Sequence, residues 1–404
     1  MSRSDPPSQA LRQVTTARNA VYLVFAVNGF GFASWMSRIP GVRDSLELTP
    51  GELGKLLLAL AIGAVVALPT SGFVVGRIGA ARTVALGSLL AGGGLIFASF
   101  GTDPMSSVVA VAIGLAALGY GTGSWDVAMN VEGAAVERLL EKNIMPRFHA
   151  AFSLGTVVGA GIGAGMTWLR VPVPVHLSMV GIIVIVVVAL SVRHFMPLPA
   201  DRDDARTSRA AVLRAWREPR TLVVGVMVLS FALIEGIAND WLAVGLVDGY
   251  DIPNAAGSAG FALFVTAMTI GRLSGSALLN MYGRLRVLRV SGALALIGAS
   301  MVALGPSVPF AIVGIVIWGI GAALGFPIGM SAAADDPRRA AARVSVVSSI
   351  GYTAFLAGPP LLGWIGDHQG VTRALLVAAA AGALGAAVAA SARKEEPEDT
   401  RVGS

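Results

Sequence analysis

Predominantly apolar stretches recur along this chain, each close to the length of a bilayer-crossing helix and each ended by a short polar turn. They cover 20–39, 52–74, 83–101, 107–136, 147–168 and 176–196, and then 221–245, 256–280, 287–305, 309–332, 343–365 and 372–391. A hydrocarbon core about 30 Å thick takes roughly 20 residues of helix, so the pattern predicts twelve transmembrane helices. Most gaps hold turn residues, such as Gly101-Thr102-Asp103-Pro104 and Gly305-Pro306-Ser307. The gap from Pro197 to Arg220 is longer and rich in Arg and Asp, which predicts a hydrophilic linker between two sets of six. The expected organisation is an N-terminal tail (1–19), a first six-helix bundle (20–196), a linker (197–220), a second bundle (221–391) and a C-terminal tail (392–404). The fold class is an all-α membrane protein.

Composition agrees with that solvent. Hydrophobic residues make up 55% of the chain and charged residues 13%, about half the charged share of a soluble domain. Gly is abundant, as expected where helix backbones approach closely in lipid. Cys is absent, which removes disulfides, thiolate nucleophiles and Cys-ligated metals. The net charge of +6 needs no nucleic-acid partner, because its placement follows the membrane. Of the 30 Lys and Arg, only Arg38, Arg43, Lys55, Arg170 and Arg373 fall in one set of alternate segments, with Arg272 inside a span; the rest occupy the other set and the tails. The positive-inside rule then puts both termini in the cytoplasm. Residues 1–19 are polar and the run from Ala20 lacks an A-x-A site, so no cleavable leader is expected.

The halves echo each other at an offset near 200. Gly119-x-Gly121-x-Gly123 matches Gly319-x-Gly321. Arg147-x-His149 with Phe152-Ser153-Leu154-Gly155 matches Arg343-x-Ser345 with Ser348-Ser349-Ile350-Gly351. Gly76-Arg77-Ile78-Gly79 matches Asn280-Met281-Tyr282-Gly283. Parallel six-span repeats with a midplane site are a transporter architecture.

Gly72, Arg77, Gly79 and Arg82 resemble the G-x-x-x-D-R-x-G-R/K-R/K loop of the major facilitator superfamily, with Gly76 where the motif carries Asp. Gly121-x-Gly123-x-x-Asp126-x-x-x-Asn130 resembles the G-x-G-x-x-E-x-x-x-N of the fucose-permease-like branch and the related MosC-like membrane proteins. Gly271-Arg272-x-x-Gly275 and Gly358-Pro359-x-x-x-Gly363 also fit. The resemblance spans nearly the whole chain. It implies the superfamily fold, two pseudo-symmetric six-helix bundles that alternate access to a central site. It makes Asp126 a proton-linked substrate-site candidate and assigns gating to Gly72, Arg77, Gly79 and Arg82. The first-span acid of the permease branch has no counterpart here; Phe32 stands in its place.

Ionisable groups inside spans are costly and therefore functional candidates. Asp126, Asn130, Gly133 and Glu137 share one helical face, which should border a water-filled cavity or clamp another helix. Span seven offers Glu235, Asn239, Asp240 and Trp241, the last either stacking a sugar ring or joining the interfacial aromatic belt. Arg272 needs a carboxylate partner, and Glu235 and Asp126 both qualify. Asn28 bonds either substrate or a neighbouring helix. Trp35 and Arg38 read as interface anchors. His149 reads as an inner gate or cap, or a proton relay. Gly155, Gly159 and Gly163 form a packing ladder, joined by Gly358 and Pro359 in span eleven. Pro327 and Pro360 are expected to bend spans ten and eleven.

No metal-ligand spacing, phosphate loop or nucleophile–base set is present, so neither an enzyme, a cofactor nor a metal is expected. The leading expectation is a monomeric secondary transporter of the inner or plasma membrane. It moves a small polar solute of the sugar-like kind, with protons as the coupling partner and lipid as the solvent. A proton-driven exporter of drugs or hydrophobic metabolites is the rival, and a non-transporting membrane sensor or scaffold is the alternative of another class.

Overall fold

The protein is described by a computed structural model covering residues 6–141, 144–196, 209–336 and 339–393. The linker residues 197–208 and the chain ends 1–5 and 394–404 lie outside the described residues. Every regular element among the described residues is helical. In order these are α1 (Pro6–Met36), α2 (Ile39–Ser45), α3 (Pro50–Ile78), α4 (Ala80–Thr102), α5 (Val108–Leu140), α6 (Met145–Trp168) and α7 (Val173–Ser191). There follow α8 (Arg209–Ala215), α9 (Pro219–Tyr250), α10 (Asn254–Leu304), α11 (Val308–Ala322), α12 (Gly325–Ala333), α13 (Ala340–Gln369), α14 (Val371–Ala374) and α15 (Leu376–Val388).

The spans number twelve once two bends are read correctly. Ten described helices are long and apolar enough to cross a membrane, and the pair Leu11–Met36 and Ile39–Ser45, bent by 41°, adds an eleventh. The 51-residue α10 supplies two crossings, because Gly283 inside it has φ 72° and ψ 162°. A straight helix of that length would reach about 76 Å, more than twice the hydrocarbon thickness. Gly79, between α3 and α4, has nearly the same conformation, φ 84° and ψ 163°. The two positions end the second and eighth spans, and only Gly takes such a φ without strain.

The chain forms two compact units. One comprises 1–202 with 242–265, the other 203–241 with 266–404. Within the first, α1 packs on α6 and α7, α4 on α5 and α7, and α3 on α5. Small residues set these crossings. A Cβ on Gly92 would lie 2.6 Å from the Gly181 carbonyl oxygen, and one on Gly114 would lie 2.7 Å from that of Gly94. The second unit repeats both contacts: a Cβ on Gly292 would lie 2.6 Å from the Gly382 carbonyl oxygen, and one on Gly314 2.8 Å from that of Gly298. The same holds for Gly121, whose added Cβ would sit 2.5 Å from the Ala91 nitrogen, and Gly321, 2.5 Å from that of Ala295. The internal repeat is thus a repeat of backbone-to-backbone packing.

Gly155, Gly159 and Gly163 face α1 and its exit. A Cβ on them would strike the Ala26 carbonyl, the Phe30 carbonyl and the Ser37 hydroxyl. A Cβ on Gly351, the counterpart of Gly155, would lie 2.9 Å from a Val228 methyl on α9. Thr49 starts α3 with a capping box, its side chain accepting from Glu52 N while its own N–H reaches Glu52 Oε2 at 3.0 Å. Pro50 follows as the first helical residue, where its missing donor costs nothing.

Trp35 and Arg38 are not interface anchors. They are 1% and 5% exposed. The bend between α1 and α2 turns the chain inward, and Arg38 donates to Thr167 Oγ1 at 3.2 Å and the Val171 carbonyl at 2.6 Å. Side chains buried to this degree cannot reach a headgroup.

Candidate functional site

Asp126 stands near the middle of α5 and is exposed, while Trp125 and Ala128 beside it are buried. Asn130, one turn on, donates its side-chain amide to the Asp126 carbonyl at 2.8 Å and reaches its carboxylate at 3.4 Å. Asn28 on α1 is 4% exposed and points its amide at Met129 Sδ, 3.9 Å away. It serves a helix contact beside the open face.

The polar stripe expected to run on to Glu137 stops after Asn130. Gly133 is buried against Phe148 and Met145. Glu137 Oε2 accepts the backbone N–H groups of Ile144 at 2.7 Å and Met145 at 2.6 Å. The carboxylate caps the start of α6, whose first amides have no helical partner and whose dipole favours an anion.

In the second unit, Arg272 is paired. One Nη donates to both oxygens of Glu235 at 2.8 Å, with both side chains about a quarter exposed. Its Nε lies 3.4 Å from the Ala323 carbonyl, an acceptor with a sequence origin. The fourth residue after Ala323 is Pro327, which has no N–H to return. The tenth span therefore breaks into α11 and α12 at Ala323–Leu324, and the guanidinium meets the freed carbonyl. Between the two partners that sequence allowed for Arg272, the structure selects Glu235.

Asn239 is buried, and Trp241 is fully so. Trp241 therefore cannot belong to an interfacial belt. It lines a recess with Leu233, Gly236, Asp240, Phe355 and Pro359, and its Nε1 has no hydrogen-bond partner among the described residues. Gly358 and Pro359 are buried on α13, which continues as a helix through both prolines.

The loop residues of the first half behave differently. An added Cβ on Gly72 or Gly76 would meet nothing within 4 Å. Arg77 stacks its guanidinium 5.4 Å above the Phe73 ring, and Arg82 is exposed. In the second half charge pairing replaces this openness. Asp335, just after α12, accepts from Arg284 Nη1 at 2.7 and 2.9 Å and from Arg220 at 3.3 Å. Arg343, the echo of Arg147, is buried and donates to Glu218 at 2.7 Å, whereas Arg147 is exposed. His149 is exposed and meets Phe25 edge to face at 5.3 Å.

Glu132 escaped the sequence reading. It is 1% exposed and accepts the Met196 N–H at 2.7 Å. Its signal was a second carboxylate in the same apolar span as Asp126, six residues on and so on a different face. His176, 2% exposed with neither ring nitrogen bonded among the described residues, is another.

These features can be set beside known proteins. The chain is 30% identical over 361 residues to an uncharacterized transporter, y4wD, of Sinorhizobium fredii, covering 88% of this chain and 93% of that one. It is 27% identical over 366 residues to the membrane protein MosC of Rhizobium meliloti, covering 90% and 87%. The fold matches the nucleoside transporter NupG with a TM-score of 0.69 at 14% identity, over 95% of this chain and 100% of that one. It matches a variant of the E. coli fucose:proton symporter FucP with a TM-score of 0.65 at 14% identity, over 94% and 98%. The family profile of the Major Facilitator Superfamily matches residues 21–345 and 277–403. With twelve spans, a doubled six-helix packing scheme and that match, this multi-pass membrane protein belongs to the Major Facilitator Superfamily.

Proposed function

We propose that this chain is a secondary transporter that moves a small polar, sugar-like solute by alternating access, coupled to protons. The observation that carries the reading is the exposed carboxylate of Asp126 near the centre of an apolar helix, with the Asn130 amide 3.4 Å from it. A charge at that depth is too costly to face lipid, so it borders a solvated path. In this reading Asp126 binds the proton and Asn130 and Asn28 complete the polar wall of the first six-helix bundle (20–196). Asp240, half-buried at the recess, supplies the hydrogen-bonding group in the second (221–391), with the buried Asn239 and Trp241 packed beside it. Arg272 and Glu235 hold that region in shape. Gly72, Arg77, Gly79, Arg82 and His149 serve the cytoplasmic gate. The solutes that two of the structural neighbours are named for, a nucleoside and fucose, are both polar and hydroxyl-rich, which favours this class over hydrophobic drugs. The protein works as a monomer in the inner or plasma membrane, with both termini cytoplasmic.

A thermal-shift screen of the purified protein against sugars, polyols, nucleosides and drugs selects the solute. Proteoliposomes then test coupling. Addition of the selected polar solute alkalinises the outside medium, and Asp126→Asn abolishes that proton movement while leaving solute counterflow. Proton-coupled transport unchanged in Asp126→Asn refutes the assignment, and drug-stimulated proton leak establishes the exporter instead.

A further inference from the structure

We propose that Glu132 is a proton-binding site distinct from Asp126, and that its protonation state sets how firmly the chain is anchored at Met196, where the first six spans end and the linker begins. Three observations converge. Glu132 lies on α5, is 1% exposed, and pairs with no cation among the described residues. Among the described residues its hydrogen bond comes from a backbone amide, the Met196 N–H at 2.7 Å. That amide is no ordinary one: it follows the short 3₁₀ turn Val192–His194, after which Phe195 tucks in its buried ring.

The surroundings leave the carboxylate to this amide. Among the described residues at the same end of the elements around α5, the titratable groups are Arg12, Arg18 and the half-buried Tyr22 on α1, Arg77 on α3, Arg82 on α4, Glu141 at the end of α5, Arg147 and His149 on α6, and Arg193 and His194 on the turn. Arg18 bonds the Asn19 side chain at 3.0 Å, Tyr22 packs on the Phe148 ring, and the others are exposed. On α5 itself, Glu137 is committed to the start of α6 and Arg138 is exposed. None is an ion-pair partner of Glu132. A buried carboxylate without a cation has two ways to lower its cost: accept a strong hydrogen bond as an anion, or take up a proton. The first tightens the hold on Met196, since bonds to an ionised acceptor are about twice as strong as neutral ones. The second weakens it while keeping the carbonyl in place. The chain therefore carries a proton-operated tether at the exit of its first half.

Hydrogen exchange at the Met196 amide of the full chain in lipid nanodiscs reads the tether. After correction for the pH dependence of chemical exchange, protection falls roughly fivefold on acidification in the wild type. In Glu132→Gln, which keeps a neutral acceptor, protection stays at the lower value at every pH. Asp126→Asn behaves as the wild type, so failure of the transport reading leaves this result intact. Infrared difference spectra give a readout that needs no variant. Acidification raises the carbonyl band of a buried carboxylic acid, and this band shifts when the chain carries carboxyl-13C glutamate. A pH step that survives in Glu132→Gln, a wild type with no step, or a band that shifts only with labelled aspartate overturns the proposal.

Discussion

A single Nη of Arg272 holds both carboxylate oxygens of Glu235 at 2.8 Å, joining α10 to α9 inside the second compact unit. Hydrogen bonds between charged groups contribute about 1.5–3 kcal/mol, and losing one partner strands the other charge. Arg272→Met and Glu235→Met are each expected to lower stability by about 2–3 kcal/mol. The double variant should recover most of the loss, because two apolar groups of similar shape leave nothing unpaired. Thermal unfolding of the four proteins in one detergent measures the coupling. Equal and additive losses in the two singles and the double would show that the pair is not a coupled unit.

Arg43 on α2 offers a second pair, of a different kind. Its Nη1 contacts both oxygens of Asp248 at 2.6 Å, while Asp44 accepts from the Asn254 amide at 2.7 Å. Both partners belong to the segment Leu242–Val265 that joins the first unit. Asp248 is a third exposed, so salt should screen the pair. Arg43→Ala is expected to cost roughly 0.5–1 kcal/mol at low ionic strength and much less in molar salt. The exchange Arg43→Asp with Asp248→Arg should restore the low-salt value. A loss that ignores salt would show packing, not charge, at this contact.

The span count was legible because the rule that produces it is local: about 20 apolar residues fill a bilayer, wherever they pack. Even the kink at Gly283 was visible as an echo of Gly79. Side-chain partnerships were not local. Arg272 advertised the need for a carboxylate, but the choice of Glu235 depends on which helices touch, and the freed Ala323 carbonyl depends on a break that Pro327 only implies. Trp35 and Arg38 stood near the end of a span, where aromatic and cationic residues usually meet headgroups. The clue against that reading was Pro40, two residues on, which restarts a helix and turns the chain inward. Glu137 shared a helical face with Asp126, but a shared face says nothing about where the next helix begins, and the start of α6 claims it.

Glu218 makes stability depend on acid. Burial pushes its carboxyl up, but the bond from Thr221 Oγ1, the bond from Arg343 Nε and the charges of Arg343 and Arg339 outweigh that and hold it below the ordinary value of 4.5. A group whose folded value is depressed contributes stability that is complete above its unfolded value and lost as pH falls through the folded one. The unfolding temperature should therefore decline as pH drops below about 4.5. Glu218→Gln should be less stable near neutrality and should show a shallower acid decline. An acid limb identical in Glu218→Gln and wild type would assign the decline to other carboxylates.

Gly155 and Gly161 lie on the same helix, α6, and separate close packing from mere helix composition. At Gly155 an added Cβ would collide with the Ala26 carbonyl on α1, a backbone atom that cannot swing aside, whereas at Gly161 it would meet nothing within 4 Å. Gly155→Ala must push α6 off α1 or distort it, and overpacking of that kind costs about 1–3 kcal/mol. Gly161→Ala adds no clash and removes the backbone freedom that makes Gly a poor helix residue, so it should be neutral or stabilising by up to about 1 kcal/mol. The two substitutions add the same methyl group to the same element. A difference in unfolding temperature therefore isolates the α1–α6 contact from helix propensity. Gly351→Ala on α13 extends the comparison: its added Cβ meets a Val228 methyl at 2.9 Å, a side chain that can turn, so its cost should fall between the other two. Equal effects at Gly155 and Gly161 would mean that α1 and α6 tolerate separation, and that the small-residue ladder does not set their distance.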